Sequence, residues 1–342
     1  EIDEEVQEAR LMRVLFAGRP EIAVPSLSLL ARNHQVVGVL TNPDRGRGRG
    51  RKVIASPVKA KAEELRLPLL QPEKLDGEAR EVVSALEPEL LVTAAYGKIF
   101  GPKFLSLFPR GGINMHPSLL PRHRGPTPIP AAILAGDGET GITIQELAHE
   151  MDAGDILLQR KRRLRGRETT AELTAWAAQE GAPLLLEAVD SIEAGRVAPE
   201  PQDPAGVTYC SFLSKEESWV SWDAGAVEID RQVRALNPWP LARTAWDSET
   251  IILHETAPVD EGVARAIIDE RGKGEGFTAP EAGRVLGVDK VFGILVQTGV
   301  GALGITRLQA PARKPMTWDA FLNGNPELVS ALLGASKESE TK

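Results

Sequence analysis

The sequence predicts an α/β protein: a Rossmann-like, mostly parallel sheet in the N-terminal domain, followed by a smaller C-terminal β-barrel of OB-like type. Three observations predict it. Over the first two hundred residues, short apolar runs alternate with segments of helical periodicity, which is how βαβ units read. Past about residue 208 the pattern changes to short apolar runs separated by glycine-rich turns, as an all-β domain requires. The length of 342 residues also suits two domains, at roughly 100 to 200 residues each.

Residues 14–17 read as the first strand and residues 20–32 as a helix opened by Pro20. Residues 35–41, Gln-Val-Val-Gly-Val-Leu-Thr, read as the next strand because β-branched side chains suit a pleated, half-buried surface. Helices are expected at 58–65, 79–86 and 169–192, with strands at 67–70, 90–94, 113–115 and 141–147. Residues 42–57 form a long connection whose Arg/Gly alternation is expected to stay irregular and mobile; connections of this length inside a domain usually carry function. In the second domain, 250–254, 264–268 and 291–298 read as strands, and Asn237-Pro238-Trp239-Pro240 as a rigid packing corner. The domain plan is an acidic extension over 1–11, a catalytic domain over 12–196, a proline-containing linker over 197–208, the barrel over 209–330 and a tail over 331–342, frayed from Ser336.

Composition narrows the function. With 42% hydrophobic and 26% charged residues and no apolar run approaching 18, the chain is neither disordered nor membrane-spanning by α-helices. A single cysteine, Cys210, makes no intramolecular disulfide or thiolate cluster, and the five histidines show no ligand spacing, so a cytoplasmic, metal-free protein is expected. Residues 1–11 carry five acids and one base, unlike a signal or transit peptide, and Met12 is expected as the natural start. The first turn, Ala17-Gly18-Arg19-Pro20, has one glycine where a dinucleotide fingerprint needs three, so no nicotinamide cofactor is expected.

A net charge of -8 argues against nucleic acid in general, because a polyanion is held by Lys and Arg. The positive charge is local, however. Arg45, Arg47, Arg49, Arg51 and Lys52 fall within eight residues, and a second cluster runs Arg160, Lys161, Arg162, Arg163, Arg165, Arg167. The first cluster follows a strand leading to the ligand-binding edge of the sheet, which favours nucleic-acid contact over a solvated loop. The second suits an exposed strand face equally well.

The densest polar constellation follows the strand at 113–115: Asn114-Met115-His116-Pro117-Ser118-Leu119-Leu120-Pro121-Arg122-His123-Arg124. Asn114 and His116 are two apart on an extended segment and face the same way. Downstream, the turn Met151-Asp152-Ala153-Gly154-Asp155 offers a carboxylate to the imidazole. Without a Ser or Cys nucleophile, such a trio suits direct acyl transfer between nitrogens: an amide donating to the developing oxyanion, an imidazole moving protons, a carboxylate orienting it. A strand-end cap at His116 and a satisfied turn at Asn114 explain the same pattern without catalysis. Arg122 and Arg124 beside it suit either substrate phosphates or a surface turn.

The run Asn-x-His-x-Ser-Leu-Leu-Pro over 114–121, followed thirty-eight residues after the Asn by Asp152-Ala153-Gly154, resembles the folate-dependent formyltransferases. Phe16-Ala17-Gly18, Thr41-Asn42-Pro43-Asp44-Arg45, Gly48-Arg49-Gly50, Ser56-Pro57-Val58-Lys59, Ala95-Tyr96-Gly97, Asn237-Pro238-Trp239-Pro240 and Leu322-Asn323-Gly324 resemble the branch acting on methionyl-tRNA. That resemblance implies Asn114, His116 and Asp152 as the catalytic trio, with 10-formyltetrahydrofolate as formyl donor. It implies folate contacts at Tyr96, Gly97, Lys98, Phe100, Ser118, Leu119, Leu120, Pro121 and Leu147. The implied acceptor is the α-amino group of methionine on initiator tRNA, in translation initiation, with tRNA contacts at Arg45, Arg47, Arg49, Arg51, Lys52, Arg122 and Arg124 and a barrel that holds the tRNA. A monomer is expected. The sequence departs from the branch at Arg19, where Thr is usual, and at Pro117, where Gly is common.

Overall fold

A computed structural model describes residues 11–47, 52–260, 262–266 and 280–334. They fall into two compact units: residues up to Pro128 with Glu139–Arg163 and Leu173–Ser211, and Ile129–Gly138 and Leu164–Glu172 with Phe212 onward.

The first unit is built on a seven-stranded sheet. Its strands are β1 (Arg13–Gly18), β2 (Gln35–Leu40), β5 (Leu69–Leu70), β6 (Leu90–Ala94), β7 (Gly112–His116), β8 (Glu139–Glu146) and β9 (Ile156–Arg163), in the spatial order β5-β2-β1-β6-β7-β8-β9. Strands β5 to β7 pair in parallel, and β8 and β9 are added antiparallel. The central strands read as continuous apolar runs because both faces are covered: Val14, Leu15, Phe16 and Ala17 are all fully buried. Helices α1 (Val24–Asn33), α2 (Pro57–Glu64), α3 (Gly77–Ser84), α4 (Pro102–Leu105) and α6 (Thr170–Glu193) connect or flank the strands. The Ser56 hydroxyl caps α2 through the Lys59 N–H, and the Asp76 carboxylate caps α3 through the Ala79 N–H. Gly181 of α6 faces Met115 of β7, where a Cβ would lie 2.3 Å from Sδ. Its missing side chain lets α6 press against the strand that carries Asn114 and His116.

One expectation is corrected in this unit. Residues 42–57 are not wholly irregular: β3 (Arg45–Arg47) pairs antiparallel with β4 (Lys52–Ile54), placing Arg47 opposite Lys52. Alternation with period two is a strand pattern even when the partner of Arg is Gly, and Val53 and Ile54 supply the β-branched side. The expected mobility falls largely on residues 48–51, outside the described residues.

The second unit holds an antiparallel sheet of β10 (Ala242–Trp246), β11 (Glu249–Val259), β12 (Val285–Asp289), β13 (Gly293–Gln297), β14 (Ala302–Gln309) and β15 (Met316–Thr317). The order is β10-β11-β14-β13-β12, with β15 beside β14. Residues 331–334, expected as the start of a tail, instead join the two ends of this order. Gly334 exchanges backbone hydrogen bonds with Ala245 of β10, while Ala331 and Leu333 bond to Val285 and Gly283 at β12, closing the sheet on itself.

Two helices pack on this sheet. In α7 (Ala226–Ala235), Ala226, Ile229, Asp230 and Val233 recur at helical spacing and are buried. Phe321 of α8 (Trp318–Gly324) packs on Trp246 with ring centroids 6.5 Å apart. Residues 264–266, the described part of the run read as a strand over 264–268, belong instead to a helical turn over 262–266, because the Asp260 carboxylate accepts the Gly262 N–H and the Asp260 carbonyl accepts the Ala264 N–H. In α5 (Pro128–Ala135), both prolines sit in the first turn, where a missing N–H costs nothing.

Leu333 is 4% exposed within the core of the second unit. Leu333→Ala is expected to destabilise that unit by about 2–5 kcal/mol, read as a drop in the urea midpoint of the transition reported by the buried tryptophans. An unchanged midpoint would show that the closing segment carries no packing load.

Candidate active site

The site is assembled at the carboxyl end of β7, the edge at which open α/β sheets bind ligands. Asn114 and His116 lie two residues apart on β7, so their side chains share one face. The neighbouring strand β6 brings Thr93 beside Asn114 in parallel register. Its hydroxyl donates to Asn114 Oδ1 at 2.6 Å, which occupies the amide oxygen and leaves the Asn114 NH2 as the group that can donate to a substrate.

His116 is 4% exposed, and its Nε2 lies 2.9 Å from the His123 backbone carbonyl. A carbonyl only accepts, so Nε2 carries the hydrogen and the lone pair of the neutral ring sits on Nδ1. Nδ1 faces Asp152 Oδ1 at 3.6 Å. Burial pushes the His116 pKa below its ordinary value of 6.5, while the Asp152 charge and the His123 carbonyl pull in the other direction. The result is a neutral imidazole whose free lone pair is next to a carboxylate: a base that becomes electrostatically favourable once it takes a proton.

Asp152 is held from several sides. Its Oδ2 accepts the Gly125 N–H at 2.8 Å and its Oδ1 accepts Gln145 Nε2 at 3.0 Å; Gln145 sits opposite Asn114 in the β7–β8 register. The backbone at Asp152 has a φ of +54°, in the left-handed region that Asp tolerates better than most residues. Gln202 fixes that conformation, its Nε2 donating to the Asp152 and Gly154 carbonyls at 2.8 and 2.7 Å. Two residues on, Gly154 lies so close to the Glu146 carbonyl that a Cβ would come within 1.9 Å of it. This is the physical content of the Asp-x-Gly spacing: the turn returns to β8 only over a bare α-carbon.

The remaining expected site residues separate into groups. Ser118 is fully buried, its hydroxyl donating to the Arg122 carbonyl, and Thr143 holds the turn by accepting the Leu120 N–H and donating to the Ser118 carbonyl. Leu119 packs over Gly141 and Pro121 over Gly206. Tyr96, at the end of β6, stacks on Phe100 with centroids 5.3 Å apart, and Leu147 packs against the same aromatic cluster. Gly97 has a φ of +80° and open space before it, and the Lys98 ammonium donates to the Pro72 and Glu73 carbonyls. The Tyr96 hydroxyl is buried without a partner among the described residues, and burial pushes its pKa up to about 12, so it remains a neutral donor. A cleft of about 330 Å³ lined by Arg110, Gly112, Leu147 and Ile192 lies at the opposite end of β7 and contains none of the trio.

Among the basic residues, Arg45, Arg47 and Lys52 lie on the β3–β4 hairpin, while Arg49 and Arg51 fall outside the described residues. The hairpin base is anchored: Lys59 hydrogen-bonds Asp44 and holds its carboxyl below the usual carboxylate range, and Gln71 donates to Asp44 and to the Asn42 carbonyl. Arg122 is exposed. Arg124 corrects the expectation of a surface cation: it is 7% exposed, with Nε and Nη2 donating to Gln202 Oε1 at 3.0 and 2.7 Å. It steadies the group that holds Asp152. Thr93, Gln145, Thr143 and Gln202 were not among the expected site residues. The signal that points to the first three is a polar residue at a buried position of an otherwise apolar strand, which must have a partner.

An amide, an imidazole and a carboxylate gathered at a sheet edge can carry acyl transfer without a covalent nucleophile. Residues 12–189 match the family described as formyl transferase, and residues 213–326 its C-terminal domain. The chain belongs to the formyl transferase family. It is 45% identical to the methionyl-tRNA formyltransferase of Treponema denticola, over 93% of this chain and 98% of the relative. It is 39% identical to that of Moorella thermoacetica, over 94% and 99%. The N-formyltransferase from Helicobacter canadensis, solved with folinic acid and dTDP-3-aminofucose, shares the fold, with a TM-score of 0.62, 18% identity and coverage of 88% of this chain and 100% of that one.

With its folded pKa depressed, His116 binds a proton only below pH 6.5, whereas the unfolded chain binds one at 6.5; this group therefore withdraws stability as the pH falls through that value. A histidine-resolved NMR titration is expected to give a midpoint below 6.5, moving lower still in Asp152→Asn, where the raising charge is gone. A midpoint above 6.5 contradicts the geometry. Gly154→Ala is expected to keep the fold yet lower turnover at least tenfold by displacing Asp152, scored by circular dichroism alongside single-turnover rates.

Proposed function

We propose that the chain transfers the formyl group of 10-formyltetrahydrofolate to the α-amino group of methionine esterified to initiator tRNA, the step that prepares the aminoacyl-tRNA for translation initiation. One observation carries the chemistry: a fixed amide donor, a neutral imidazole and a carboxylate share the end of β7, with the imidazole lone pair facing the carboxylate. Likeness to relatives named methionyl-tRNA formyltransferase, extending over both units at 36–45% identity, supports the acceptor.

The reaction then follows from the residues. The neutral amine attacks the formyl carbon, and the Asn114 NH2 donates to the oxygen on which negative charge develops. His116 Nδ1 takes the proton released by the amine, and Asp152 stabilises the imidazolium so formed. The same proton is returned to the folate nitrogen as its bond to the formyl carbon breaks, so the enzyme ends unchanged. Burial keeps this exchange away from water, which would otherwise compete for the formyl carbon. The donor's ring system is assigned to the Tyr96–Phe100 turn and the Ser118–Pro121 turn, where the buried, neutral Tyr96 hydroxyl can donate a hydrogen bond.

The tRNA is assigned to Arg45, Arg47, Arg49, Arg51 and Lys52 with Arg122, and to the second unit, whose excess of acids leaves most phosphate neutralisation to the hairpin. The chain is proposed to act in the cytoplasm as a monomer. No helix among the described residues is long and apolar enough to cross a membrane.

Asn114→Ala is expected to lower kcat about 100- to 1,000-fold with little change in KM for the tRNA, because the amide acts on charge that exists only in the transition state. Arg45→Ala with Arg47→Ala is expected to do the reverse, raising KM for the tRNA and leaving kcat. The pair should also flatten the salt dependence of binding by about one unit of log–log slope for each phosphate no longer neutralised. An equal effect on a small amine acceptor would assign the hairpin to something other than the polyanion.

A further inference from the structure

At the edge of the first sheet opposite the catalytic site, where β2 begins, a second group of ionisable side chains meets. His34 follows the last residue of α1, and Asp190 and Glu193 lie in the last turn of α6. Among the described residues this is the one group of three His, Cys, Asp or Glu side chains whose ligand atoms all lie within 4.8 Å of one another.

The hydrogen bonds decide which atoms are available. His34 Nε2 lies 3.0 Å from Asp190 Oδ1, and since a carboxylate accepts, Nε2 carries the hydrogen. In the tautomer that this bond selects, the lone pair is on Nδ1. That atom is buried with no hydrogen-bond partner among the described residues, on a side chain only 3% exposed, and it faces Glu193 Oε2 at 4.0 Å. Glu193 Oε1 is likewise buried and unpartnered. A bare lone pair facing a bare carboxylate is repulsive and leaves both desolvated. At 4.0 Å the gap is too long for an N–H···O bond, and it exceeds by a few tenths of an ångström the roughly 3.3–3.6 Å between two ligands held about 2.0–2.2 Å from one tetrahedral cation, a difference that a rotation of the part-exposed Glu193 side chain closes. Both helices end here, and the negative ends of their dipoles favour positive charge.

We propose that His34 Nδ1 and the Glu193 carboxylate bind a divalent transition-metal ion of the zinc class, completed by water, with Asp190 fixing the ring from behind as the carboxylate partner of a ligating histidine. The imidazole selects such an ion over magnesium or calcium, which take oxygen donors. Asp190 supplies the outer hydrogen bond that sets the tautomer of a metal-bound histidine. The site joins α1 to α6, elements 156 residues apart, away from the reacting groups, and its consequence is a metal-dependent gain in stability of the first unit.

The test uses the full chain stripped with a chelator and titrated calorimetrically with zinc at pH 7.5, with magnesium as the control. One equivalent is expected to bind, magnesium is not, and the melting temperature rises with zinc. Glu193→Gln removes the binding and the stabilisation, and Asp190→Ala weakens binding about 10- to 100-fold. Should a variant fold poorly, the parent chain alone decides through 15N spectra of His34. Nδ1 is expected bare before zinc and shifted after it. A proton on Nδ1 at pH 7.5, which makes the group an imidazolium clamped by two acids, overturns the proposal, as does zinc uptake equal in the parent and Glu193→Gln.

Discussion

The hydrogen bond from His116 Nε2 to the His123 carbonyl is the interaction on which the proposed chemistry rests. It decides which nitrogen is basic, and so aims the lone pair at Asp152 rather than into the protein. Everything around it serves that geometry. Pro121 and Arg124 are tied to Thr208 and Cys210 by backbone bonds and the His123 N–H donates to the Thr208 hydroxyl, so the carbonyl that receives Nε2–H is held in place. Gln202, itself braced by Arg124, holds the carbonyls of the Asp152 turn. Burial favours the neutral ring, and in the proposed reaction the carboxylate at 3.6 Å offsets that cost once the ring takes the proton of the amine.

The fold explains why these groups can meet. Asn114 and His116 come from the end of one strand, and the antiparallel addition of β8 places Gln145 beside Asn114, within reach of the Asp152 turn. Strained or unusual backbone gathers at the same rim: Ala95, His123 and Asp152 all have positive φ. Such conformations cost roughly 1–3 kcal/mol each and persist where the surroundings over-determine them. Here those surroundings are hydrogen bonds to buried carbonyls rather than apolar packing alone.

Much of this was legible in the sequence, and the reasons for the rest are physical. The parallel core strands announce themselves as apolar runs, and Asn114 with His116 can be paired from strand periodicity. The supporting shell is harder to read. Thr93 and Gln202 act through partners 21 and 50 residues away, which only sheet register or a returning linker brings together. The same holds for His34, separated from Asp190 and Glu193 by most of the first unit. The β3–β4 hairpin was hidden by glycines that usually mark irregular chain, and residues 262–266 by the β-branched pair just beyond them, which outweighed the helix-starting Asp260. The closing segment at 331–334 is short and follows the helical turn Pro326–Ser330, so nothing local marks it as part of a sheet.

The central claim is that this site moves a formyl group onto the amine of a tRNA-borne methionine. Incubating the purified chain with 10-formyltetrahydrofolate and charged initiator tRNA, quenching, and hydrolysing the ester for mass analysis tests it most directly. The account predicts N-formylmethionine accumulating with one tetrahydrofolate released per formyl group, and none when free methionine replaces the charged tRNA. Tetrahydrofolate released without N-formylmethionine, or no turnover of the donor at all, would contradict it.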